Sequence, residues 1–144
     1  MIEVTREVRA GASAERVFAY LADFRTTTEW DPGSVRTERV SGDGGVGTVY
    51  ANTSRFAGRT TNLTYTVTEL AAPRRITLRG ENDAIEAIDT ITVEPAGDGS
   101  RVRYSASFRF RSPLLRLVAP FLRPAFRRLG DEAESGMTEA LARL

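Results

Sequence analysis

Between Pro113 and Leu144 the chain changes its hydrophobic period, and this change limits the fold more than any other feature. Leu114, Leu117, Val118, Phe121, Ala125, Leu129, Ala133, Met137, Ala140 and Leu144 recur at helical spacing as one apolar stripe. Most of the chain before them alternates as strands do. A long helix with a single apolar stripe must bury it, and the strand-like segments supply one sheet for it to lie on. Ser112 and Pro113 suit the N-cap and first helical position. Pro120 and Pro124 each remove a backbone donor and crowd the preceding turn. The spacing therefore predicts a short helix near 114–119, a kink, and a long helix to the end.

Upstream, "IEVTREVRA" alternates, with Val4 and Val8 on one face beside Arg6. Ser13 offers an N-cap and Glu15 favours the positive helix start. Ala14, Val17, Phe18 and Leu21 then fall at helical spacing, which predicts a short helix ending near Asp23. Strands follow at "SVRTERVSG", "TVYANTSRF", "RTTNLTYTVTEL", "RRITLRGEN", "AIEAIDTITVEP" and "SRVRYSASFRFR", the last two joined through "AGDG" as a hairpin. About seven antiparallel strands are too many for a flat sheet, so they are expected to curl around the helix.

The residues the chain lacks narrow its chemistry. It has no histidine or cysteine, and all 20 of its basic residues are arginines. A histidine base, a Ser-His-Asp triad, a cysteine nucleophile and a Schiff-base lysine are excluded. Any chemistry must come from Asp, Glu, Tyr, Ser, Thr and Arg, and arginine stays charged, so it clamps or polarises rather than acting as a base. A net charge of +1 does not suggest a nucleic-acid partner. The start "MIEVTREV" is charged and alternating, without the apolar core of an export signal, so the expected location is the cytoplasm. No cofactor or metal site is expected.

Three motifs are decoys. Gly42, Gly44 and Gly47 satisfy G-x-G-x-x-G, but a strand-like segment follows where a dinucleotide site needs a helix, so a tight turn is the better reading. "NTS" and "NLT" match glycosylation acceptors in a chain without a secretory signal. "LLRLVAPFLRPAFRRL" is basic and amphipathic, as a membrane-surface helix would be. Its stripe is also what a core helix needs and its prolines interrupt a clean membrane face, so membrane contact is the less favoured reading.

The order of elements, carried by "ASAERVFAYLADFRTTTEWDPG", "GVGTVY", "YTVTELAAPRRITLR" and "TVEPAGDGSRVRYS", resembles the helix-grip fold of the START-like (SRPBCC) superfamily, which includes polyketide cyclase/dehydrase-like proteins. The resemblance covers nearly the whole chain. It implies one α+β domain over residues 1–144: a curved antiparallel sheet of about seven strands wrapped around a long C-terminal helix, with two short helices after the first strand. It also implies a ligand class of lipids, polyketides, quinones or aromatic metabolites. Some relatives are cyclases or dehydratases, which orient a flexible chain and polarise its carbonyls.

Alternation selects the inward-facing residues. Val102, Tyr104, Ala106, Phe108 and Phe110 share one parity, and Ile85, Ala87, Asp89, Ile91 and Val93 form the matching set on the partner strand. Leu63, Tyr65 and Val67, then Ile76 and Leu78, do the same; Tyr50 and Phe56 share a face with Asn52 and Ser54. An inward Asp89 is the main anomaly, because a buried carboxylate is costly unless paired or hydrogen-bonded. It is either structural, bridged to inward Arg6 or bonded to a tyrosine hydroxyl, or turned outward by a bulge, or a ligand contact with a raised pKa. Trp30, the only tryptophan, follows the second short helix as a core plug or a cavity wall. The candidate ligand-binding residues are Trp30, Tyr50, Asn52, Tyr65, Asp89, Tyr104, Phe108 and Phe121; no catalytic motif is visible. The expected function is to bind a small hydrophobic molecule between sheet and C-terminal helix, with cyclase or dehydratase activity as an extension. The alternative is a non-catalytic chaperone-like or quinone-delivery module acting through its surface.

Overall fold

The computed structural model describes residues 1–144. Strand β1 (Ile2–Ala10) leads into helix α1 (Ala14–Ala22), a 3-10 turn (Phe24–Thr26) and the single-turn helix α2 (Thr27–Trp30). Strands β2 (Ser34–Ser41), β3 (Val49–Phe56), β4 (Arg59–Ala71), β5 (Arg75–Glu81), β6 (Ile85–Ala96) and β7 (Gly99–Phe110) follow. Helix α3 (Pro113–Val118), a 3-10 turn (Ala119–Leu122) and helix α4 (Arg123–Ala142) complete the chain. The α+β helix-grip architecture expected from the sequence is the one observed.

The seven strands form one antiparallel sheet in the order β1-β7-β6-β5-β4-β3-β2. β2 to β7 run as consecutive neighbours, and β1 crosses to pair with β7, Val4 opposite Ala106 and Val8 opposite Val102. The chain between the two edge strands therefore passes through α1 and α2, which close over the concave face. Register shifts in the β2–β3 and β4–β5 pairs add local twist.

Local chemistry sets the boundaries. The Ser13 side chain accepts the Arg16 N–H and starts α1, which buries Ala14, Val17, Phe18 and Leu21. Gly42, Gly44 and Gly47 all adopt positive φ, which glycine tolerates. They build the β2–β3 turn, and strand β3 follows where a nucleotide fold would place a helix. Alternation holds along β7, where Val102, Tyr104, Ala106, Phe108 and Phe110 are all buried.

The C-terminal stripe needs correction. α4 buries Phe126, Gly130, Ala133, Met137, Ala140 and Leu141. Leu114, Leu117, Val118 and Phe121, read from the sequence as part of the same buried stripe, are exposed. The 3-10 turn over Ala119–Leu122 advances by about three residues per turn instead of 3.6 and resets the helical phase. A stripe extrapolated through it lands on the wrong face.

Candidate ligand-binding interior

Asp89 sits on central strand β6, opposite Leu78 of β5 and Ala106 of β7. The small Ala106 leaves space beside it, and Tyr104, on the diagonal position of β7, fills that space with its hydroxyl. The Tyr104 hydroxyl donates to Oδ2 of Asp89 at 3.1 Å, while Oδ1 has no partner. The residue is only 3% exposed, so strand parity aims it into the interior without a bulge. Arg6 does not reach it: its guanidinium turns to helix α4, bonding Asp131 at 3.0 Å and the Arg127 carbonyl at 3.2 Å. Of the sequence alternatives, the tyrosine bond is the one formed and the Arg6 bridge is not.

Trp30, the last residue of α2, is 1% exposed. Its ring packs edge-on against Tyr104, centroids 5.4 Å apart at 74°. Its indole Nε1–H has no acceptor. Tyr65 lies over Gly80, where a Cβ would meet its ring at 2.5 Å, and packs on Phe24 with centroids 4.8 Å apart. Tyr50, the cross-strand partner of Tyr65 on β3, also packs on Phe24, centroids 5.9 Å apart.

This surrounding shifts the acid-base groups. Desolvation pushes Asp89 up to about 7, against the opposing Tyr104 hydrogen bond and helped by the charge of Asp31. Asp31 is raised to about 6, chiefly by desolvation, with the Gly33 N–H opposing and Glu132 adding repulsion. Tyr65 and Tyr104 are pushed well above the usual phenol value, first by burial and then by the Asp89 charge. Near neutrality Asp89 is thus present both as an acid and as a carboxylate. A buried carboxyl group with one free oxygen can hold a hydroxyl or carbonyl group and exchange a proton with it.

The other expected site residues divide three ways. Asn52 anchors a separate buried network, donating to Ser34 and Thr37, each at 2.8 Å, and accepting from Ser54 at 2.6 Å. Thr27 of α2 joins it through Thr37 at 2.6 Å. Because these groups satisfy one another, they tie α2 to β2 and β3. Phe108 stacks on Phe126, centroids 4.7 Å apart, and Phe126 stacks on Phe56 at 4.5 Å. Phe121 is 84% exposed and contributes nothing to the interior. The sequence reading missed Asp31 and Phe126. Asp31 adjoins Trp30 and precedes a proline, a visible signal; Phe126 was hidden by the phase reset after Pro120.

Two concavities bear on access. One of about 430 Å³ lies between the β3–β4 turn and α4, lined by residues including Phe56, Ala57, Pro124, Ala125 and Leu129. Its Phe56 wall continues through Phe126 and Phe108 into the core. The other, about 220 Å³, lies on the outer sheet face between Arg75, Thr90, Thr92, Arg103 and Ser105, with no apolar lining for a hydrophobic molecule. No three side chains converge as a metal-binding group.

The full chain, residues 1–144, matches the family described as polyketide cyclase / dehydrase and lipid transport. The chain belongs to that family. This polyketide cyclase/dehydrase family member shares its START-like fold with solved structures of low sequence identity. An aromatase/cyclase from a Streptomyces species superposes with a TM-score of 0.82 at 15% identity, over 97% of this chain and 93% of that one. A START superfamily protein from Mycobacterium smegmatis gives 0.80 at 13% identity, over 96% of each chain. A Thermus thermophilus protein gives 0.81 at 17% identity, over 97% of each. No curated protein matches the sequence significantly. No helix is long and apolar enough to cross a membrane.

Proposed function

We propose that this protein binds a small hydrophobic molecule bearing a hydroxyl or carbonyl group, held in the interior between the sheet and α4. One observation carries the reading: Asp89 Oδ1 and Trp30 Nε1, an acceptor and a donor on two residues that both contact Tyr104, are buried without partners. Leaving such groups unpaired costs about 1–3 kcal/mol each, which a ligand's polar head would recover. The aromatic walls supply apolar contact for the rest of the molecule, and the groove beside Phe56 supplies the approach. Family membership and the fold shared with an aromatase/cyclase support the same ligand class.

A second reading, cyclase or dehydratase activity, is favoured by the titration of Asp89 near neutrality. A carboxyl group poised there can give a proton to a carbonyl oxygen or take one from an adjacent carbon. Tyr104 positions it.

Because Trp30 is the only tryptophan, its indole N–H gives a single resolved NMR signal. Titration with 2-naphthol should shift that signal, and naphthalene should bind more weakly. Asp89→Leu should remove the preference for the hydroxylated probe. An indole signal that ignores both compounds at saturating concentration would overturn the reading.

A further inference from the structure

The segment from Pro113 to Leu122 is apolar on two sides. Leu115, Ala119 and Leu122 pack on the core. Leu114, Leu117, Val118 and Phe121, spaced i, i+3, i+4 and i+7, form an outward row and are 70%, 75%, 39% and 84% exposed. A helix lying on a core needs one apolar stripe; the second has no partner within the chain. The charge along it is also one-sided: from Ser112 to Gly130 the sequence holds four arginines and no Asp or Glu. Arg116, Arg123, Arg127 and Arg128 belong to this strap and the start of α4, and all four are exposed. Arg128 pairs with Glu132 at 2.9 Å and Arg116 bonds the Phe110 carbonyl at 2.8 Å. Arg123 and Arg127 form no ion pair. The surplus is local, since the whole chain carries only +1.

We propose that the strap docks on an anionic lipid bilayer. Leu114, Leu117 and Phe121 enter the acyl boundary while Arg123 and Arg127 meet lipid phosphates. Charge complementarity selects this occupant. In a two-fold pairing with a second copy, the same basic patch would meet itself, with an excess of like charge on both sides. The strap also runs directly into Pro124, Ala125 and Leu129, which wall the groove, so docking brings the groove mouth to the membrane surface. This proposal does not rest on the interior reading.

The test is flotation of the full chain with vesicles of phosphatidylcholine alone and of phosphatidylcholine mixed with phosphatidylglycerol. Binding is expected to the anionic vesicles and to weaken as salt rises. Leu117→Glu combined with Phe121→Glu should abolish it while leaving the thermal melt unchanged, because neither side chain is buried. Arg123→Gln with Arg127→Gln should weaken it by on the order of tenfold or more, each arginine near an anionic surface contributing about fivefold. No binding of the unmodified chain to anionic vesicles overturns the proposal, and so does binding that survives the Leu117/Phe121 change. A concentration-dependent dimer broken by that change, without vesicle binding, also overturns it and assigns the face to a second copy.

Discussion

The Tyr104 hydroxyl is 3.1 Å from Oδ2 of Asp89 and is the only partner that carboxyl has. Without a cation nearby, burial dominates and raises Asp89 to about 7, from about 3.9 in an unfolded chain. Between those values the folded state binds more protons than the unfolded state. The contribution of Asp89 to stability is therefore fully present below about pH 4, is lost as pH rises towards about 7, and is absent above that. Asp31, raised to about 6, acts in the same direction, so the comparison must be between variants. Asp89→Asn should flatten this slope and leave the protein more stable than the parent at pH 8, by up to ~4 kcal/mol as a ceiling. Urea denaturation from pH 4 to pH 8 measures both; a parallel pH dependence in parent and variant would show that Asp89 does not titrate in this window.

Tyr104→Phe removes the one interaction that lowers the Asp89 pKa. The variant should lose about 1–3 kcal/mol, more at pH 8 than at pH 5, because the charged carboxylate suffers most from losing its donor. Its stability slope should also extend to higher pH. An equal loss at both pH values would mean that Tyr104 acts by packing alone.

The fold was legible because alternation and helical period are strong where an element has one wet and one dry face. β7 shows this: every residue of the Val102 to Phe110 parity is buried. Asp89 was legible as an anomaly for the same reason, since parity placed a carboxyl among apolar neighbours. Its partner was not. Arg6 has inward parity too, but strand parity does not say where along the concave face a long side chain points, and Asp131 on α4 captured it. The face of Phe121 was misread because the stripe was carried at one helical period across the kink expected at the prolines, and the 3-10 turn there changes the phase. Asn52 lies on the inward face as expected, yet its neighbours Thr27, Ser34 and Thr37 come from segments whose approach no local pattern encodes.

That network yields its own prediction. Asn52→Ala would leave the Ser54 hydroxyl without its acceptor and take the donor from Ser34 and Thr37. A loss of about 1–3 kcal/mol is expected, with α2 loosened from β2. Faster amide exchange near Trp30, with little change in β6 and β7, would be the signature; uniform change across the sheet would contradict a local role.

Helix α4 approaches α2 closely at Gly136, where an added Cβ would collide with the Trp30 carbonyl. Helix propensity alone favours Ala over Gly by about 1 kcal/mol. If α4 were merely a lid over the sheet, Gly136→Ala would stabilise the protein. The obstacle is backbone, which cannot rotate aside as a side chain can, so the helix must shift away from α2. Overpacking of this kind costs about 1–3 kcal/mol or more, which outweighs the propensity gain. The shift would also open the contact that seals Trp30. The expected result is a lower melting temperature together with red-shifted, iodide-quenchable tryptophan emission, where the parent emission is blue-shifted and protected. A variant that melts higher with unchanged emission would show that α4 does not hold Trp30 in place.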